Sequence, residues 1–95
     1  MSKNITSVSD MIAKFLDDSP IGKKIKNYQV IEQWNEIVGD QISKISVPDK
    51  IENHVLRVKV NSSVWRHELS LRKKEIIDKI NSTFKEEIVK DIIFR

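Results

Sequence analysis

The stretch Val55-Leu56-Arg57-Val58-Lys59-Val60-Asn61-Ser62-Ser63-Val64-Trp65-Arg66-His67-Glu68-Leu69 contains the change of period on which the fold turns. Up to Val60 the apolar residues alternate: Leu56, Val58 and Val60 share one face, and Arg57 and Lys59 take the other. That is the pattern of a strand buried on one side. Asn61-Ser62-Ser63 then offers three cap-forming side chains, and beyond them the period becomes helical. Trp65, Leu69, Ile76 and Ile80 fall within about 60° of one another at 100° per residue, which predicts a helix over 64–81 with this stripe in the core.

Upstream of this passage, 45–60 reads as a hairpin, with Pro48 near the start of an edge strand and Glu52-Asn53-His54 as its turn. Before it, Ile25, Tyr28, Ile31, Trp34, Ile37, Val38, Ile42 and Ile45 follow one helical face, predicting one long helix over 24–45. Gly39 interrupts that pattern and is expected to permit close packing of another backbone. Earlier still, Val8, Met11, Ile12, Phe15 and Leu16 predict a short amphipathic helix over 8–17, stopped by Asp17-Asp18-Ser19-Pro20, with a hinge through Gly22. Downstream, 88–95 is rich in β-branched and aromatic residues and reads as a terminal strand. A crossover helix between the second and third strands makes them parallel. The expectation is a single α+β domain, in the order helix, helix, strand, strand, helix, strand, with a small mixed sheet covered by helices on one face. Residues 1–20 form its N-terminal helix and hinge, and 24–95 its core.

Composition narrows the function. Ninety-five residues support one small domain with little room for a deep substrate cavity. There is no cysteine, which excludes disulfides, thiolate metal sites and thiol nucleophiles. The two glycines, Gly22 and Gly39, are too few and too far apart for a phosphate-gripping loop, so an ATPase is excluded. Neither His54 nor His67 sits near a strained nucleophile turn, and both read as solvated residues. No enzymatic activity, cofactor or metal is expected. The N-terminus lacks an apolar signal-peptide core and no apolar run approaches a membrane span, so a cytoplasmic protein without membrane contact is expected.

The net charge of +3 conceals an uneven distribution, because residues 51–83 carry seven basic groups against four acidic ones. Arg57 and Lys59 on the strand, and Arg66, Lys73 and Lys74 on the following helix, are candidates for contact with a nucleic-acid backbone, together with the loop Asn61-Ser62-Ser63 at the helix N-terminus. Arg72 borders the core stripe. Val64 and Leu71 lie off that stripe and form a second apolar patch, a candidate partner surface. Trp34, Gly39, Trp65 and Leu69 are assigned to the core.

In combination, Trp34-Asn35-Glu36-Ile37-Val38-Gly39, Val47-Pro48, the strand-to-helix passage ending in Trp65 with Glu68-Leu69, Ile80-Asn81 and Ile92-Ile93-Phe94-Arg95 resemble the DciA family of bacterial replicative helicase loaders. The resemblance implies a KH-like domain that binds a DnaB-type helicase and DNA and helps place the helicase on single strands without hydrolysing ATP; the basic residues themselves suit single-stranded DNA or RNA. The GxxG clamp of true KH domains is absent, and Asn61-Ser62-Ser63 occupies the comparable loop. Many members extend into a basic tail that this sequence does not contain, which implies modest affinity for nucleic acid. A monomer is expected. The same residues suit two other functions, a KH-like RNA-binding module and a pure protein-interaction adaptor docking through the first helix.

Overall fold

The computed structural model describes Val8, Met11 and residues 19–95. The helix expected over 8–17 otherwise lies outside the described residues. The first complete helix, α1 (Pro20–Glu32), begins where the sequence suggested a hinge. Ser19 is its N-cap, accepting a hydrogen bond on Oγ from the Gly22 N–H at 3.0 Å, and Pro20 takes the first helical position. Proline is favoured there, since its φ is already helical and its missing N–H has no partner to lose. The helix therefore starts four residues earlier than the apolar period indicates.

The single long helix expected over 24–45 is three helices. After α1 come α2 (Trp34–Val38) and α3 (Asp40–Ser43), separated at Gln33 and at Gly39. Gly39 has φ +90°, and a Cβ placed on it would meet nothing within 4 Å. The glycine is there for its backbone conformation, not for close packing, and it is exposed rather than part of the core. These breaks turn the chain toward the sheet while Val30, Trp34, Ile37 and Val38 stay buried. Trp34 then anchors the turn. Its Nε1–H donates to Ser46 Oγ at 3.0 Å, and that hydroxyl donates to the Ile42 carbonyl at 2.6 Å.

The sheet has the order β1-β2-β3, with β1 (Ser46–Glu52) antiparallel and β3 (Asp91–Phe94) parallel to the central β2 (Val55–Val60). Asn53 and His54 close the β1–β2 turn with φ of 51° and 66°. Two successive positive φ values give a two-residue turn whose twist matches that of the strands. Leu56, Val58 and Val60 face the helices together with Ile51 and Ile92, and all five are buried. This is the mixed-sheet α+β arrangement the sequence implied.

The helix expected over 64–81 is also divided, into α4 (Ser63–Leu71) and α5 (Lys73–Phe84). At Arg72 φ is −101° and ψ 10°, and its N–H reaches the Leu69 carbonyl in a tighter turn. Ser70 Oγ donates to the His67 carbonyl at 2.7 Å, a side-chain bond of the kind that bends helices. The bend lets α4 lie on β2 and β3 while α5 reaches across to α2. Leu69, Ile76 and Ile80 are buried, whereas Trp65 is only half-buried, at the margin of the core rather than its centre.

Asn81 fixes the return to the sheet. Its Oδ1 accepts from the N–H groups of Ile88 and Val89, each at 3.0 Å, and its Nδ2 donates to the Val89 carbonyl at 2.9 Å. Ile88 and Val89 are thereby held in the core. From the hairpin side, His54 Nδ1–H donates to the Ile88 carbonyl at 3.1 Å, and the His54 carbonyl accepts from Lys90 N–H at 2.8 Å. His54 is thus a structural tie and not merely a solvated side chain. Removing the Asn81 amide strands two inward N–H groups, each costing about 1–3 kcal/mol. Asn81→Ala is expected to lose about 2–4 kcal/mol in urea unfolding, while the exposed neighbour change Ser82→Ala stays within about 0.5 kcal/mol.

Candidate nucleic-acid interface

The side of the sheet away from the helices is set by register. Val47 pairs with Lys59, Lys50 with Arg57 and Glu52 with Val55, and across β2 Arg57 pairs with Ile93 and Val55 with Asp91. Directly opposed residues in a sheet point the same way. Lys50, Arg57 and Lys59 therefore share this open face, and Arg95 follows them by alternation from Ile93. Asp49 stands at the irregularity between Pro48 and Lys50, where its carboxylate meets Arg95 at 3.8 Å. Lys50 approaches Glu52 at 3.4 Å. Among the described residues Arg57 and Lys59 carry no ion pair, and the buried Arg57 Nε has no hydrogen-bond partner. The centre of the open face thus holds two adjacent uncompensated cations beside the exposed side chains of Val47 and Ile93.

The remaining candidates lie elsewhere. Ser62 is the cap of α4, its Oγ accepting from Trp65 N–H at 3.2 Å, so within Asn61-Ser62-Ser63 one hydroxyl is already committed to the helix. Arg66 turns back on the strand and donates from Nη1 to the Val60 carbonyl at 2.9 Å. Lys73 and Lys74 stand beyond the α4–α5 bend, separated from the capped loop by the length of α4, about 13 Å. Both are engaged: Lys73 with Asp91 at 3.0 Å and Lys74 with Asp78 at 3.6 Å. The Lys73 ammonium, aided by the Ile92 N–H, holds the Asp91 carboxyl below its ordinary range. Arg72, which borders the core stripe by helix angle, is exposed and pairs with Glu68 at 3.0 Å across the bend.

The candidate cations, two on the strand and three on the following helix by sequence, thus occupy three places. The open face contains Arg57 and Lys59 and gains Lys50 and Arg95, which sequence reasoning missed. Counting outward from the two-residue turn Asn53-His54 would have placed Lys50 opposite Arg57; Arg95 needed the β2–β3 register, a long-range pairing without a local signal. Val64 and Leu71 are 76% and 70% exposed and lie seven residues apart, on one line along α4.

Little else offers chemistry. A recess of about 230 Å³ beside the hairpin turn is lined by Lys23, Asn27, Asn53, His54 and Glu86, below the ~300–1,000 Å³ of small-molecule sites. Among the described residues no three His, Asp or Glu side chains converge to hold a metal, and no helix is long and apolar enough to cross a membrane.

Comparison with known proteins matches this sequence to a family. The family described as "Dna[CI] antecedent, DciA" matches residues 7–94. A UPF0232 protein of Rhodococcus jostii is 26% identical over 86 residues, covering 90% of this chain. The chain spans 44% of that relative's length. With nearly every residue covered by the family match, and with the mixed-sheet domain the family resemblance implied, the chain belongs to the DciA family.

Proposed function

We propose that this chain is a non-enzymatic accessory of DNA replication that engages a DnaB-type replicative helicase and single-stranded nucleic acid and assists placement of the helicase on its strand. Membership of the DciA family over residues 7–94 is the observation that carries this reading. The open sheet face supports the nucleic-acid half. Among the described residues Arg57 and Lys59 have no anion to displace, and Arg57 Nε has no hydrogen-bond partner, so binding a phosphate there breaks no ion pair among them. Lys50 and Arg95 flank them and exchange weak surface pairs for phosphate contacts. The loop Asn61-Ser62-Ser63, with Arg66, extends the track from the end of β2. Lys73 and Lys74 are secondary contacts, because each must first leave a carboxylate. Val64 and Leu71 are assigned to the helicase, as an apolar pair set apart from the open face on the outward side of α4.

Phosphate contact makes affinity depend on salt. For about three neutralised phosphates on a single strand, affinity is expected to fall about 20-fold between about 50 and 200 mM salt. In an anisotropy titration with a labelled single-stranded oligonucleotide, Lys59→Glu weakens binding more than Lys74→Glu does. No binding at micromolar protein, or binding indifferent to salt, overturns the nucleic-acid half. A matched RNA strand that outcompetes the DNA moves the reading to an RNA-binding module.

The helicase half is tested by size-exclusion chromatography with the cognate DnaB-type helicase. Co-elution is expected, and the double change Val64→Asp and Leu71→Asp weakens it by about tenfold or more while leaving oligonucleotide affinity unchanged. A purified pair that never co-elutes contradicts the assignment. A partner retained unchanged after charge reversal at Lys73 and Lys74, with no nucleic-acid binding to lose, identifies a pure adaptor.

A further inference from the structure

Among the described residues the three-stranded sheet has two unpaired edges, and they differ. On β1 the edge is blunted: Pro48 has no N–H to offer, the register shifts between Pro48 and Lys50, and Asp49, Lys50 and Glu52 are charged. Proline, bulges and charges are the usual protection of an edge against pairing with another chain. On β3 the sequence Asp91-Ile92-Ile93-Phe94 contains no proline and no bulge.

The direction of the β3 backbone groups follows from its bonds to β2. Arg95 N–H donates to the Val58 carbonyl at 2.9 Å, and the Arg95 carbonyl accepts from Val60 N–H at 2.7 Å. In a parallel ladder the residues bonded to one neighbour alternate, so Asp91, Ile93 and Arg95 turn their backbone groups to β2, and Ile92 and Phe94 turn theirs outward. Among the described residues only one of those outward groups has a partner: Ile92 N–H donates to Asp91 Oδ1 at 2.8 Å.

We infer that β3 pairs with β3 of a second copy of this chain, antiparallel, about a two-fold axis through Ile93. In this register Asp91 faces Arg95 of the second copy, Ile92 faces its Phe94, and Ile93 faces its Ile93. The outward groups of Ile92 and Phe94 form four inter-chain hydrogen bonds, Asp91 passing its hold on Ile92 N–H to the incoming Phe94 carbonyl. The strand matches itself in this one way. A parallel arrangement sets Asp91 beside Asp91 and Arg95 beside Arg95, and sliding the antiparallel register by two residues sets either Asp91 or Arg95 opposite Ile93 and takes the other away from its partner. Self-complementarity about a two-fold axis is the requirement of an isologous dimer and singles out a second copy over an unrelated strand.

The result is a continuous six-stranded sheet. Because Asp91, Ile93 and Arg95 lie on the open face, the two sets of Lys50, Arg57 and Lys59 come onto one surface. Four-residue strands bury far less than a standard interface, so the dimer is weak, with a dissociation constant on the order of 100 μM, and the monomer is the main form in dilute solution.

The test is sedimentation equilibrium on the full chain between about 20 μM and about 1 mM, with hydrogen exchange of the Phe94 amide followed over the same range. The average mass is expected to rise from 11.1 kDa toward twice that value. The outward Phe94 N–H is expected to become about fourfold more protected as concentration rises across that range. Asp91→Arg sets arginine against Arg95 across the axis, and Arg95→Asp sets aspartate against Asp91. Each variant alone is expected to associate about tenfold more weakly, and an equimolar mixture to recover wild-type association as a heterodimer with both pairs complementary. A mass that stays at the monomer value up to 1 mM overturns the inference, as does association undiminished in both variants, or a mixture that recovers nothing. Should Asp91→Arg lose its fold with the Lys73 contact, the wild-type Phe94 amide decides alone, and concentration-independent exchange there overturns the pairing.

Discussion

Burial of one side of β2 sets the register of the sheet and, with it, which side chains meet the helices and which meet solvent. Among the described residues β2 is the only strand with a neighbour on each edge, and Leu56, Val58 and Val60 are almost completely buried beneath the helices. A strand has a period of two, so whatever commits these three residues to the core commits Arg57 and Lys59 to the opposite face. A one-residue slip in register would bury both cations and expose the three apolar side chains. The stability of the fold and the placement of its central cations are therefore one and the same condition.

That constraint explains the devices around it. The Trp34, Ser46 and Ile42 hydrogen bonds position β1 on one side of β2, and the Asn81 amide with the His54 ring positions β3 on the other. The helix breaks at Gln33, Gly39 and Arg72 serve the same end. A straight helix follows a twisted sheet for only a short distance, and short segments joined by bends keep their apolar stripes on it. The ion pair of Lys26 with Glu86 ties α1 to the loop before β3.

What could be read from the sequence follows from the range of the interactions involved. The alternation from Val55 to Val60 and the cap at Asn61-Ser62-Ser63 are local, and both the strand and the start of the following helix stand where they indicate. The division of the helices could not be read from apolar spacing, because Trp65, Leu69, Ile76 and Ile80 keep a continuous helical period across the bend at Arg72. Gly39 was visible as an anomaly, yet only its φ of +90° distinguishes conformational need from close packing. Lys73 and Lys74 looked equivalent to Arg57 and Lys59 as charges. Their partners Asp91 and Asp78 separate them, and the Asp91 contact depends on how the last strand docks.

In the proposed function the open face serves the strand and the α4 patch serves the helicase, on distinct surfaces of one small domain. An accessory of this kind has to bring helicase and strand together, which neither surface does alone. The most direct measurement is the amount of cognate DnaB-type helicase captured on a single-stranded DNA of defined length, with and without this protein. The proposed function requires that capture rises with added protein and that both Lys59→Glu and the Val64, Leu71 double change abolish the rise. Capture that is unchanged by the wild-type protein, under conditions where the helicase binds its strand alone, contradicts it.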